Sequence, residues 1–162
     1  MRSSCLESRR SYVKKNRYLD QDPVKVGQII VDVIEAVIFT RSKRGCHKVA
    51  KYDVRYELAV KNHDLYGIEE RKLEAWLQKA REKGYITFQS KTGWSVTRRG
   101  ELLKLVFSSN LQDASEILAM ADLTIRQTKV DGKHVIVTRD YKTNRVNVET
   151  HNGIVVGVEG IG

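Results

Sequence analysis

Arg71, Ala75 and Gln78 recur three and four residues apart between Ile68 and Lys83, flanked by Lys72, Glu74 and Lys79. At ~100° per residue this spacing puts them on one face of a helix, opposite a stripe of Leu73, Trp76, Leu77 and Ala80. Arginine and glutamine can read base edges in pairs, and lysine anchors phosphates. Lys91, in a turn, and Arg98 and Arg99 just beyond it extend the same positive character. Glu69 and Glu70 open the helix; they suit its dipole but repel phosphates. Catalytic patterns are missing: there is no Gly-x-Ser-x-Gly, no His-Glu-x-x-His and no phosphate-cradling glycine loop. His47, His63, His134 and His151 stand apart, and Asp53 and Glu57, four residues apart beside Arg55 and Lys61, read as solvated ion-pair partners. No catalytic residue, metal or cofactor is expected.

The elements that must carry these residues follow from local signals. Asp22-Pro23 reads as an N-cap and first helical position, and Val26, Ile29, Ile30, Val33, Ile34, Val37 and Ile38 continue at helical spacing to about Thr40. A break through Arg41 to Gly45 precedes a second helix carrying Val49, Tyr52, Val54, Tyr56, Leu58 and Ala59, and a turn through Asp64, Tyr66 and Gly67 leads to the third. Gly84 stops that helix. Tyr85 to Gln89 and Trp94 to Thr97 are short strands about the turn Ser90 to Gly93, and Thr97 caps a fourth helix with Leu102, Leu103, Val106 and Phe107 on its apolar side.

This order, closing on GYITFQSKTGWSVTRRGELL (84–103), resembles the winged helix-turn-helix regulators over roughly residues 22–107. The resemblance implies that the third helix enters a DNA groove and that Lys91 tips the wing. Charge agrees with it: residues 1–108 hold 23 Lys and Arg against 13 Asp and Glu, whereas residues 109–162 hold 6 against 7. A local positive field is what counterion release from nucleic acid requires. Residues 1–21, with six Lys or Arg and two Tyr, read as a basic flexible arm. The first helix has more apolar residues than one face of a small core needs, so a homodimer is a candidate assembly. Only Cys5 and Cys46 are present, which points to a reduced, cytoplasmic setting, and no apolar run is long enough for a membrane span.

Near Ser108 the period shifts. Ser109 or Asn110 can cap a short helix through Leu111, Ala114, Ile117, Leu118 and Ala121, after which Leu123–Lys129, His134–Arg139, Arg145–Thr150 and Ile154–Glu159 read as strands. Asp131-Gly132 and Asn152-Gly153 mark tight hairpins. The chain is therefore expected to be α+β: an arm (1–21), a winged-helix domain (22–108) and a helix-plus-sheet unit (109–162) able to fold alone.

The segment VTRDYKTNRVNVETHNGIVVGVEGIG (137–162) resembles the C-terminal half of the potato inhibitor I family and its bacterial relatives. The resemblance implies an exposed protease-binding loop in which Arg139 enters the primary specificity pocket of a trypsin-like protease and the bond to Asp140 is scissile. Thr138 and Asp140 would be braced by Arg145, with Tyr141 beside them. The segment before the loop is two or three residues longer than that pattern, and Asn147 stands where many members place a second bracing arginine. The reading of the whole is a DNA-binding winged-helix protein, a transcription regulator, with a C-terminal interaction domain. The alternatives are a serine protease inhibitor acting through Arg139-Asp140 and a winged-helix protein-interaction module without DNA binding.

Overall fold

Asp22 begins the first helix as its sequence requires, its carboxylate accepting the Val24 N–H at 3.0 Å. The computed structural model describes residues 22–43, 48–61 and 69–162; the arm, the Gly45 break and the turn through Asp64 to Gly67 lie outside them. Helix α1 (Pro23–Lys43) runs three residues past the expected end. Its C-terminal turn is held from the side, by the Arg41 guanidinium donating to the Ser95 hydroxyl at 2.8 Å.

Helix α2 (Lys51–Lys61) turns a different face inward from the one its apolar pattern indicates. Tyr52 and Tyr56 are exposed, while Asp53 and Glu57, expected to be solvated, are buried beside Val54 and Leu58. The physical reason lies at the helix start, where the Asp53 carboxylate accepts the Ala50 N–H at 2.9 Å and satisfies a donor that the first turn leaves open.

Helix α3 (Glu70–Glu82) ends at Gly84, which adopts φ +74°, and the strands β1 (Ile86–Gln89) and β2 (Gly93–Val96) follow as an antiparallel hairpin. Gly93 pairs with Gln89 rather than sitting in the turn. A Cβ at Gly93 would lie 2.0 Å from the Val49 carbonyl oxygen, and its φ is +68°. Only glycine lets the chain before α2 dock there, where Val49 donates to the Thr92 carbonyl and accepts from the Trp94 N–H. Thr97 caps helix α4 (Arg98–Val106), accepting from the Gly100 N–H. Asn110 does the same for helix α5 (Leu111–Ala119) through the Asp113 N–H.

The second sheet comprises β3 (Thr124–Val130), β4 (Lys133–His134), β5 (Arg145–His151) and β6 (Ile154–Ile161), in the order β4-β3-β5-β6. Both expected tight turns form, with positive φ at Asp131, Gly132, Asn152 and Gly153. The strand expected through Arg139 stops at His134, however. β3 pairs in parallel with β5, so the chain must travel from one end of the sheet to the other, and residues 131–144 make that crossover.

Among the described residues the protein is α+β, with five helices and two sheets. The break in charge near residue 108 is not a break in the core. Val33, Ile34, Leu73, Trp76 and Leu103 belong to the same buried cluster as Leu118, Val146, Val155 and Val158. Tyr85, 2 % exposed, accepts the Val158 N–H on its hydroxyl at 3.1 Å. Of the apolar residues of α1 that made a homodimer a candidate, Ile30, Val33, Ile34 and Val37 are buried within the chain, and Val26, Ile29 and Ile38 are partly buried against the same cluster. None of the described helices is long and apolar enough to cross a membrane.

Candidate functional site

Two surfaces carry the residues singled out above. On α3, Arg71 and Gln78 are exposed and Lys72 and Lys79 half-buried, the Lys72 ammonium lying 5.3 Å from the centre of the Trp76 ring. Ala75 is not available: it is 7 % exposed, although it lies outside the buried cluster to which Leu73, Trp76, Leu77 and Ala80 belong. The same face also carries acids among its bases. Glu70 and Glu74 both hold the Lys51 ammonium, at 2.5 and 2.6 Å, and Glu82 accepts from the Gln78 amide at 3.1 Å.

Lys91 is exposed in the turn of the β1–β2 hairpin, and Arg98 is exposed at the start of α4. Arg99 is a second correction. Its guanidinium lies over the Tyr85 ring at 5.4 Å and donates through Nε to the Val158 carbonyl at 2.5 Å, so it joins α4 to β6.

The other surface is the crossover. Residues 131–144 are all exposed, Ile136 completely so, and within them the chain from Val135 to Lys142 adopts no regular structure. The two-residue β4 pairs only with Lys129 and Val130, and after the Val135 N–H donates to the Thr128 carbonyl at 2.9 Å the chain leaves β3 and crosses to Arg145, the register partner of Thr124. Thr138, Arg139, Asp140 and Tyr141 sit together on this stretch, and Arg145, at the first residue of β5, is only 7 % exposed beneath it. Its guanidinium donates through Nη1 to the Asp140 carboxylate at 2.7 Å and through Nη2 to the Asp140 carbonyl, and its Nε donates to the Gly162 carbonyl at 3.3 Å. The Thr138 hydroxyl donates to the other Asp140 carboxylate oxygen. Arg139, between them, remains exposed.

Arg145 therefore braces Asp140 as the resemblance implies, but not Thr138. Arg126 of β3, which sequence reasoning missed, donates from Nη1 to the Thr138 carbonyl at 3.1 Å. Its Nε donates to the Asn147 side-chain oxygen at 2.9 Å and its Nη2 to the Gly162 carbonyl at 3.2 Å. Arg126 is the parallel-register partner of Asn147, so the guanidinium expected from the Asn147 position comes from the neighbouring strand. The available signal was a basic residue in the strand before the loop, and it can be read only once β3 and β5 are known to pair in parallel. Gly162 is also pressed against the loop: a Cβ there would lie 2.6 Å from the Tyr141 ring.

The Arg145 guanidinium, helped by the Thr138 hydroxyl, holds the Asp140 carboxyl well below the usual carboxylate range. A depressed acid contributes order above its ordinary value and loses it only as pH falls through the depressed one. We expect the Asp140 carboxyl, followed by carbon-13 NMR, to show no inflection near the ordinary aspartate value of ~3.9, and the loop signals to stay unchanged from pH 7 to about 4. A normal titration at Asp140 would mean that the brace is absent in solution.

Among the described residues no three His, Cys, Asp or Glu side chains converge in a way that would hold a metal ion. No protein-family model matches the chain, and no curated protein or solved structure is significantly similar to it.

Proposed function

We propose that residues 135–144 are a protease-binding loop and that the protein is a reversible inhibitor of a trypsin-like serine protease, with Arg139 as the residue entering the specificity pocket. The observation that carries this reading is the buried Arg145 gripping both the carboxylate and the carbonyl of Asp140, the residue that follows Arg139. A loop ordered before binding does not have to be ordered on binding, so more of the contact energy appears as affinity. Exposure of Ile136 and Val137 ahead of Arg139 gives an extended segment that a protease cleft can line up against. Parallel β3–β5 pairing, with the loop as the crossover, supports the likeness to potato inhibitor I. The test is inhibition of trypsin by the intact chain, followed by identification of the bond slowly cut. Digestion at the rate of an unfolded peptide, or no interaction, would remove this reading.

A second reading, DNA binding by residues 22–107, is favoured by the order of three helices, hairpin and helix and by the exposure of Arg71, Gln78, Lys91 and Arg98. This is the winged-helix order, and the excess of basic residues lies on the same side of residue 108. The acids Glu70, Glu74 and Glu82 on α3, with Glu69 at its N-cap, weigh against deep groove insertion, which is why this reading stands second. In gel shifts on random duplex at two salt concentrations, Lys91→Ala should weaken binding to all sequences alike and lower the salt slope by about 1. Absence of salt-dependent binding would leave these helices a protein-interaction module.

A further inference from the structure

Resting on the inhibitor reading above, we propose that Arg126 is a positioning residue that keeps the two ends of the Arg139–Asp140 bond together after a protease has cut it. The argument is one of sides. In the cutting step the protease serine oxygen attacks the Arg139 carbonyl carbon, the carbon–nitrogen bond breaks, and the Asp140 nitrogen leaves with a proton as an amine. Water then displaces the serine oxygen from the Arg139 ester, leaving the cut chain with an Arg139 carboxylate; resynthesis reverses both steps, the amine attacking the Arg139 ester carbon, the carbon–nitrogen bond re-forming and the serine oxygen recovering its proton. Both directions use the protease's own machinery, so what this chain controls is whether the amine stays within reach.

Arg145 cannot provide that alone. Its contacts are with Asp140 and Gly162, and Asp140 lies on the amine side of the bond. Arg126 reaches both sides: it donates to the Thr138 carbonyl on the acyl side at 3.1 Å, and the same nitrogen lies 3.5 Å from the Asp140 carboxylate on the amine side. Its other two donors are anchored to Asn147 and Gly162, so the guanidinium is fixed to the sheet and not to the loop. After the cut, Thr138 and Asp140 are no longer joined through the backbone between them. The Arg126 bridge and the Thr138–Asp140 side-chain bond then hold the ends in place, and a planar, multidentate donor suits that role where a single ammonium does not.

The experiment incubates trypsin with the full chain and with Arg126→Gln and Arg126→Lys, and reads the ratio of cut to intact protein at equilibrium, approached from both forms. Inhibition at short incubation and thermal unfolding are recorded alongside. For Arg126→Gln the cut-to-intact ratio should rise about tenfold to a hundredfold, the scale expected for losing charge-assisted hydrogen bonds, while early inhibition falls much less. Arg126→Lys should lie between the wild type and the glutamine variant, since a lysine can reach one of the acceptors but not all. Should the glutamine variant unfold, the lysine variant carries the test. A folded variant with the wild-type ratio, or one in which early inhibition and the ratio change by the same factor, overturns the role of Arg126. Failure of the wild-type chain to inhibit trypsin at all removes the inhibitor reading instead.

Discussion

Arg139→Ala in the full chain should weaken binding to a trypsin-like protease by about 10²- to 10³-fold, with the fold untouched. Arg139 is exposed and stands at the centre of a loop whose neighbours are held from below, so its side chain is the part of the loop left for the partner. The specificity pocket of such a protease carries a buried carboxylate, and truncating one member of a buried, hydrogen-bonded charge pair costs about 2–5 kcal/mol, in part because the other charge is left unpaired. Arg139→Lys should retain most of the binding, and Arg145→Ala should fail differently: the variant binds and is then consumed as a substrate. Equilibrium inhibition and product analysis separate these outcomes. Wild-type binding by Arg139→Ala would show that the protease grips the chain elsewhere.

The fragment 109–162, expressed alone, should not unfold cooperatively. The charge break at residue 108 favours two separable units, and local signals in each half are complete. Yet Val155 and Val158 of β6 are buried in a cluster that includes α1 and α4. Removing residues 22–108 also strips the Tyr85 hydroxyl and the Arg99 guanidinium from Val158. Uncovering these two valines costs about 3 kcal/mol, at the usual 1.5 kcal/mol or more for each side chain. That is a large share of the 5–15 kcal/mol that holds a domain together. The full chain should melt in one transition, and Tyr85→Ala should lower it for both halves together. Two independent transitions, or a folded fragment with a sharp melt, would restore the view of separable domains.

The amino-acid sequence by itself determined features whose physics is confined to a few residues. Thr97 and Asn110 cap their helices because a hydroxyl or amide oxygen three residues before an open N–H needs nothing from the rest of the chain. Asp131-Gly132 and Asn152-Gly153 turn because those residues tolerate positive φ. The loop residues Thr138, Arg139, Asp140 and Arg145 could be named only through a resemblance, that of their pattern within eight positions to the potato inhibitor I family.

Other properties were decided by distant parts of the molecule. Arg99 faces Tyr85 because β6 lies over α4, Asp53 and Glu57 are buried because α2 turns its tyrosines outward, and Ala75 is covered although it lies outside the buried cluster that holds the rest of the α3 stripe. The strand expected through Arg139 ends at His134, where the chain leaves the edge of β3 to cross to the start of the parallel strand β5. Arg126 meets Thr138 and Asp140 through that same register. Parallel pairing joins strands through a crossover instead of a turn, so no short-range residue pattern encodes which side chains it will bring together.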